Sequence, residues 1–176
     1  MTDEPAVLIV VSGLPGAGKT TVAGAYVRAT GAAYLRIDTI EQVLVDQTDL
    51  VQPLGAVGYV LGYALAAEQL VRGTRIVVAE CVNPLRITRD AWLQTAEGAA
   101  AVLVDAEVLC SDRDEHRRRV ETRTVDVPGL VLPTWQEVVD REYEPWHRDR
   151  LVIDTAHSGP EQAARAIAEA VEVARR

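Results

Sequence analysis

The residues best equipped for chemistry form one run, Gly13-Leu14-Pro15-Gly16-Ala17-Gly18-Lys19-Thr20-Thr21, directly after the apolar stretch Val7 to Val11. This is the full pattern G-x-x-x-x-G-K-[ST] in its required place, between a strand and a helix. Gly13, Gly16 and Gly18 permit backbone torsions and close approaches that a Cβ would block. The loop's N–H groups can then converge on phosphate oxygens at the positive end of the following helix, with Pro15 and Ala17 shaping the turn. Lys19 can reach the outer phosphates, and the Thr20 hydroxyl can hold Mg²⁺. Lys19 is also the only lysine in the chain; the other basic side chains are arginines. A guanidinium fork does not replace a compact ammonium at a phosphate, so the one lysine stands where the motif needs it.

Three further features narrow the chemistry. Asp38 follows the second apolar run, Ala33 to Ile37, and could take the proton of an acceptor hydroxyl. With Glu41 three residues later it could equally form a capping box. Glu80 ends the run Arg75 to Glu80, where an acidic residue orients the metal shell, although Asp is commoner and one methylene shorter. Arg119 and Arg123 lie four apart in the charged stretch 112–123, on one helical face, just before a proline- and glycine-bearing segment at 126–133. They are candidates to steady a nucleotide and the transferring phosphoryl group. Much of that stretch is also explained as a salt-bridged surface helix, with Asp114–Arg118 and Glu115–Arg119 spaced as pairs.

The elements that must position these groups follow from periodicity and turn residues. Strands are expected at 7–11, 33–37, 75–80, 101–110 and 151–153. Helices are expected at 19–29, from 38, at 54–67, 84–97, 112–123, 134–143 and 160–174, with 126–133 a mobile loop. The stretch 54–67 has no charge and three glycines, and predicts a buried helix rather than a membrane span, for which it is too short. Tyr59 and Tyr63 share one of its faces, at the core edge. Alternating strands and helices define an α/β fold, a doubly wound parallel five-stranded sheet flanked by helices. One domain covers 1–176, with a lid at about 119–134. Ligands of such sheets bind beyond the carboxyl ends of the strands, where the phosphate loop, Asp38 and Glu80 all fall.

Composition removes several functional classes. The chain has 176 residues and a formal net charge of −8, which disfavours a general nucleic-acid binder. Cys81 and Cys110 have neither metal spacing nor a disulfide framework, and are expected as buried thiols. The start, M-T-D-E-P, lacks the basic region of a signal peptide, so a cytoplasmic location is expected. No [NT]-K-x-D guanine motif is possible with the single lysine already used.

The segments G-L-P-G-A-G-K-T-T, R-I-D-T-I-E, V-V-A-E-C-V-N-P and E-H-R-R-R-V-E-T-R together resemble the P-loop small-molecule kinases of the adenylate-kinase-like group. The nearest likeness is to chloramphenicol phosphotransferase and kinase-like AAA-type ATPases of similar length; gluconate, shikimate and adenylylsulfate kinases are more distant. The resemblance implies a nucleoside-monophosphate-kinase-like P-loop fold with a short lid, binding ATP and Mg²⁺. It implies Asp38 as catalytic base, Glu80 where the family commonly has Asp, and Arg119 with Arg123 as the ATP-binding R-x-x-x-R. Asn83 also matches a family position. The expected activity is transfer of the γ-phosphoryl group to a hydroxyl of a small molecule, with no membrane partner. Two other readings stay open: a kinase of nucleic-acid 5′-hydroxyl ends, which the acidic balance disfavours, and an ATP-dependent binding module controlling a protein partner.

Overall fold

The computed structural model describes residues 4–176; Met1, Thr2 and Asp3, and with them part of the chain start used above to argue against a signal peptide, lie outside the described residues. Five strands, β1 (Val7–Ser12), β2 (Ala33–Arg36), β3 (Ile76–Glu80), β4 (Val102–Leu109) and β5 (Leu151–Asp154), form one sheet in the order β2-β3-β1-β4-β5. Every pairing is parallel. Parallel neighbours require crossovers, and the helices α1 (Lys19–Thr30), α2 (Ile37–Gln47), α3 (Val57–Val71), α4 (Arg86–Gly98), α5 (Arg113–Thr122), α6 (Trp135–Val139) and α7 (Pro160–Ala174) lie along the connections.

β1 shows why both faces must be covered. It is buried at every position, and its side chains alternate between two cores. Val7, Ile9 and Val11 pack with Val22, Tyr26 and Ile167 of α1 and α7. Leu8 and Val10 pack with Ala66, Leu70 and Trp92 of α3 and α4. The expected fold class holds, and Cys81 and Cys110 are buried free thiols as expected.

Four expectations need correction. Helix α2 begins at Ile37 with Arg36 at the N-cap and no side-chain cap bond, so Asp38 and Glu41 do not form a capping box. The capping box of the chain lies instead at Thr134 and Glu137. The helix it opens stops at Val139, not Tyr143; the chain beyond it instead sets Tyr143 and Trp146 against the guanidinium of Arg89. Arg123 is not on a helical face with Arg119: α5 ends at Thr122, and Arg123 is already extended, at φ −64° and ψ 142°.

The fourth correction concerns α3, which is buried on one side only. Gly58 and Gly62 face inward because Glu41 and Ile37 fill the space a Cβ would need, whereas Val57, Val60, Leu61 and Leu65 are exposed.

Arg89, missed in sequence because a lone arginine on a helix suggests a solvated face, is fully buried. It donates to three backbone carbonyls, those of Asn83, Pro84 and Pro145. Those bonds fasten the segment after α6 to the loop after β3.

Candidate active site

The loop between β1 and α1 lies across the carboxyl ends of the central strands. Gly13 has φ +144°, and a Cβ there would sit 2.1 Å from the Val108 carbonyl oxygen, so no side chain is compatible with this path. Gly16, at φ +78°, lies close against Val120 of α5. Behind the loop, the ring of His116 sits 2.8 Å from the Pro15 carbonyl and edge-on to Trp135. On the opposite flank the Thr155 hydroxyl donates to the Ala17 carbonyl at 2.7 Å. Among the described residues no side chain caps the first turn of α1 and no carboxylate lies in it, so its positive end is left to a ligand.

Lys19 is buried, and its ammonium donates to the Leu14 carbonyl at 3.1 Å. Burial pushes its pKa below the ordinary lysine value, against the pull of Glu80 and Asp38. Thr20, exposed at the mouth of the loop, donates to the Glu80 carboxylate at 2.7 Å. Glu80 is itself only 2% exposed and also accepts from the Tyr34 phenol. That acceptor and burial raise the Tyr34 pKa, with burial the larger cause.

Asp38 sits on the first turn of α2 with a half-exposed carboxylate. The Arg36 guanidinium stands between the acids, 3.9 Å from Asp38 and 3.7 Å from Glu80, and binds Asp126 through two nitrogens at 2.5 and 3.2 Å. The Arg123 guanidinium faces the same cluster: its charge is felt by Lys19, and burial pushes its pKa down against the pull of Asp38 and Asp126. Its Nε is buried without a hydrogen-bond partner among the described residues. Arg119 points elsewhere. It is held by Glu115 at 2.7 Å and donates to the Thr155 hydroxyl at 2.7 Å, on the Ala17 side of the loop.

Of the residues singled out in sequence, the fold thus links Lys19, Thr20, Asp38, Glu80 and Arg123 in one polar cluster. Thr21 is exposed on the first turn of α1, and Arg119 lies on the loop's far flank. Asn83, buried at φ +53°, donates to the Ser12 hydroxyl and supports the loop's entry from below. Arg36, Tyr34, Asp126, His116 and Thr155 were missed. A signal existed for two of them: Tyr34 and Arg36 are two apart on a strand, hence on one face. Arg36 is the register partner of Glu80.

The residues present suit a magnesium ion. Thr20 and Glu80 offer hard oxygen donors within hydrogen-bond distance of each other, and Glu80 is aimed at the phosphate loop rather than at solvent. Among the described residues no group of three or more His, Cys, Asp or Glu could hold a metal unaided. An ion bound here would therefore complete its shell from phosphate and water, as magnesium commonly does.

A parallel sheet, a glycine loop at the end of its central strand and a lysine–threonine pair define a P-loop nucleotide-binding fold. A family model described as an AAA domain matches residues 8–141, and the chain belongs to that family. No curated protein matches the chain. Among solved structures it is similar to a protein of Chloroflexus aurantiacus J-10-fl, at 17% identity, covering 98% of this chain and 99% of that one, with a TM-score of 0.75. It is similar also to the APS kinase of Mycobacterium tuberculosis solved with AMPPNP and APS, at 16% identity, 96% and 99% coverage and a TM-score of 0.70. A gluconokinase of Sinorhizobium meliloti 1021 matches at 22% identity, 97% and 94% coverage and a TM-score of 0.61. The fold is that of the P-loop kinases.

Proposed function

We propose that this protein is an ATP- and Mg²⁺-dependent phosphotransferase acting on a hydroxyl of a small molecule. The observation that carries this reading is Asp38, a carboxylate free of capping duty that shares Arg36 with Glu80 and whose charge reaches Lys19. The AAA-domain family and the kinase fold support it.

In this reading the loop amides and Lys19 hold the outer phosphates, and Thr20 with Glu80 would hold magnesium. When bound, the ion neutralises phosphate charge. Asp38 accepts the proton of the acceptor hydroxyl as its oxygen bonds to the γ-phosphorus and the bond to the β-phosphate oxygen breaks, releasing ADP. Arg123 steadies charge on the transferring group, and Arg119 binds the nucleotide from the Thr155 side. Catalysis is mostly positioning and electrostatics.

A mass-spectrometric screen for phosphorylated products across alcohols, sugars, nucleosides and antibiotics tests the proposal. Expected is one phosphorylated acceptor class, formed only with Mg²⁺ and ATP and lost in Lys19→Met. ATP binding with no transfer to any of them would favour a nucleotide-controlled binding module instead.

A further inference from the structure

The two oxygens of the buried Glu80 carboxylate have different partners. Oε1 accepts from the Thr20 hydroxyl at 2.7 Å, and Oε2 accepts from the Tyr34 phenol. A hydroxyl has one proton and two lone pairs, so a Thr20 that spends its proton on Glu80 keeps its lone pairs for a cation. Tyr34 reaches Glu80 along the sheet: it lies opposite Val78 in the parallel pairing of β2 with β3, and Arg36 lies opposite Glu80. Residues two apart on a strand share a face, and an aromatic side chain is long enough to meet the diagonal neighbour. Ala33 and Leu35, on the other face of this edge strand, pack into the core under α3 and α4. The Tyr34 ring is left at the rim, 36% exposed, with its hydroxyl turned inward to Glu80.

We propose that Tyr34 is a positioning residue for magnesium: through Oε2 it holds Glu80 turned toward Thr20 and so sets how tightly the ion is bound with the nucleotide. This rests on the assignment of Thr20 and Glu80 to the ion under the proposed function. The edge does not need the phenol as a tie, because β2 already pairs with β3 over Ala33–Arg36. Nor does Arg36 orient the carboxylate. Its terminal nitrogens bind Asp126, and its Nε stands 3.7 Å from Oε1 with no hydrogen bond. A cation in contact would also offset the negative charge that a metal needs, whereas a neutral phenol orients the carboxylate and leaves that charge in place. Hydrogen-bond partners of a metal-holding group are commonly worth roughly 10–100-fold in metal affinity.

Calorimetric titration of ATP into the full chain, once with saturating Mg²⁺ and once with EDTA, tests this. The ratio of the two Kd values is what the ion adds to nucleotide binding, and the wild type is expected to bind ATP more tightly with Mg²⁺. Tyr34→Phe is expected to lower that ratio by about tenfold while leaving the Kd in EDTA unchanged. The variant leaves Oε2 without its donor and is expected to melt somewhat lower. That loss alone does not move the ratio, because both Kd values refer to the folded chain. A phenol that serves only the fold therefore gives a lower melt with a wild-type ratio, and that result overturns the proposal. Glu80→Gln, expected to lower the ratio at least as far, separates the two levels. If it lowers the ratio and Tyr34→Phe does not, the role of Tyr34 falls and the metal site stands. A wild-type ratio near one, or a Glu80→Gln chain that keeps the wild-type ratio, removes the metal site itself.

Discussion

At residue scale, the 2.7 Å bond between Thr20 and Glu80 ties the carboxylate at the end of β3 to the first turn of α1. Arg36 stands 3.7 Å from the oxygen that Thr20 binds, and the Tyr34 phenol donates to the other. Asp38 invites the sharpest test, because the competing explanation of that residue is gone. With Arg36 at the N-cap, Asp38 contributes no cap bond, so Asp38→Asn is expected to melt like the wild type and still bind nucleotide. Its phosphoryl transfer is expected to fall by about 10²–10⁴, the usual cost of losing a general base. Wild-type transfer on a genuine acceptor would move the base elsewhere, to Glu80 first. Lys19→Met removes the ammonium proposed to hold the phosphates and is expected to abolish transfer with a small change in melting temperature; unaltered turnover would remove the loop from the mechanism.

At element scale, the segment between α5 and α6 is tied to Arg36 and to α2, the helix that carries Asp38. Arg36 grips Asp126, Val127 is buried, and Gly129, at φ +83°, lies against Gln42 of α2. Asp126 is about half exposed, so the ion pair contributes well under about 1 kcal/mol to global stability. Its effect is local. Asp126→Asn is expected to leave the melting temperature nearly unchanged while speeding proteolytic cleavage within 123–134. It would also raise the KM for the acceptor more than it alters nucleotide affinity, and equal cleavage rates would count against a fastening role. Arg89 is the opposite case. Arg89→Ala strands three carbonyls and uncovers two aromatic rings, and is expected to cost about 3 kcal/mol or more in denaturant unfolding. The strands and long helices were legible in the sequence because their periodicity is local. Arg89, Thr155 and Asp126 were not, since each is defined by a partner 36 to 90 residues away. The start of α2 was misplaced by one residue because strand β2 hands over to helix without a turn, leaving no breaker to mark the boundary.

At the scale of the whole molecule, the phosphate loop couples ligand binding to the stability of the sheet. The loop runs from β1, touches β4 at Val108, leans on α5 at Gly16 and is bonded to the residue after β5 through Thr155. Unfolding must break this arrangement, so a ligand that needs it binds the folded state alone and stabilises by mass action. At a free concentration 100 times Kd that amounts to about 2.7 kcal/mol. For a chain of this length each kcal/mol raises the melting temperature by about 2–4 °C, which gives an expected rise of about 5–10 °C with Mg·ATP. If Thr20 and Glu80 hold magnesium as proposed, removing the metal with EDTA is expected to cut that rise. Lys19→Met is expected to lose most of it. ATP is expected to stabilise at least as well as GTP, because no lysine is left to build a guanine-reading motif. Differential scanning fluorimetry of the wild type and Lys19→Met with the two nucleotides, with and without EDTA, checks all four outcomes together. A rise that GTP produces alone would overturn the assignment of ATP as donor, and a rise indifferent to EDTA would remove Thr20 and Glu80 from the metal site.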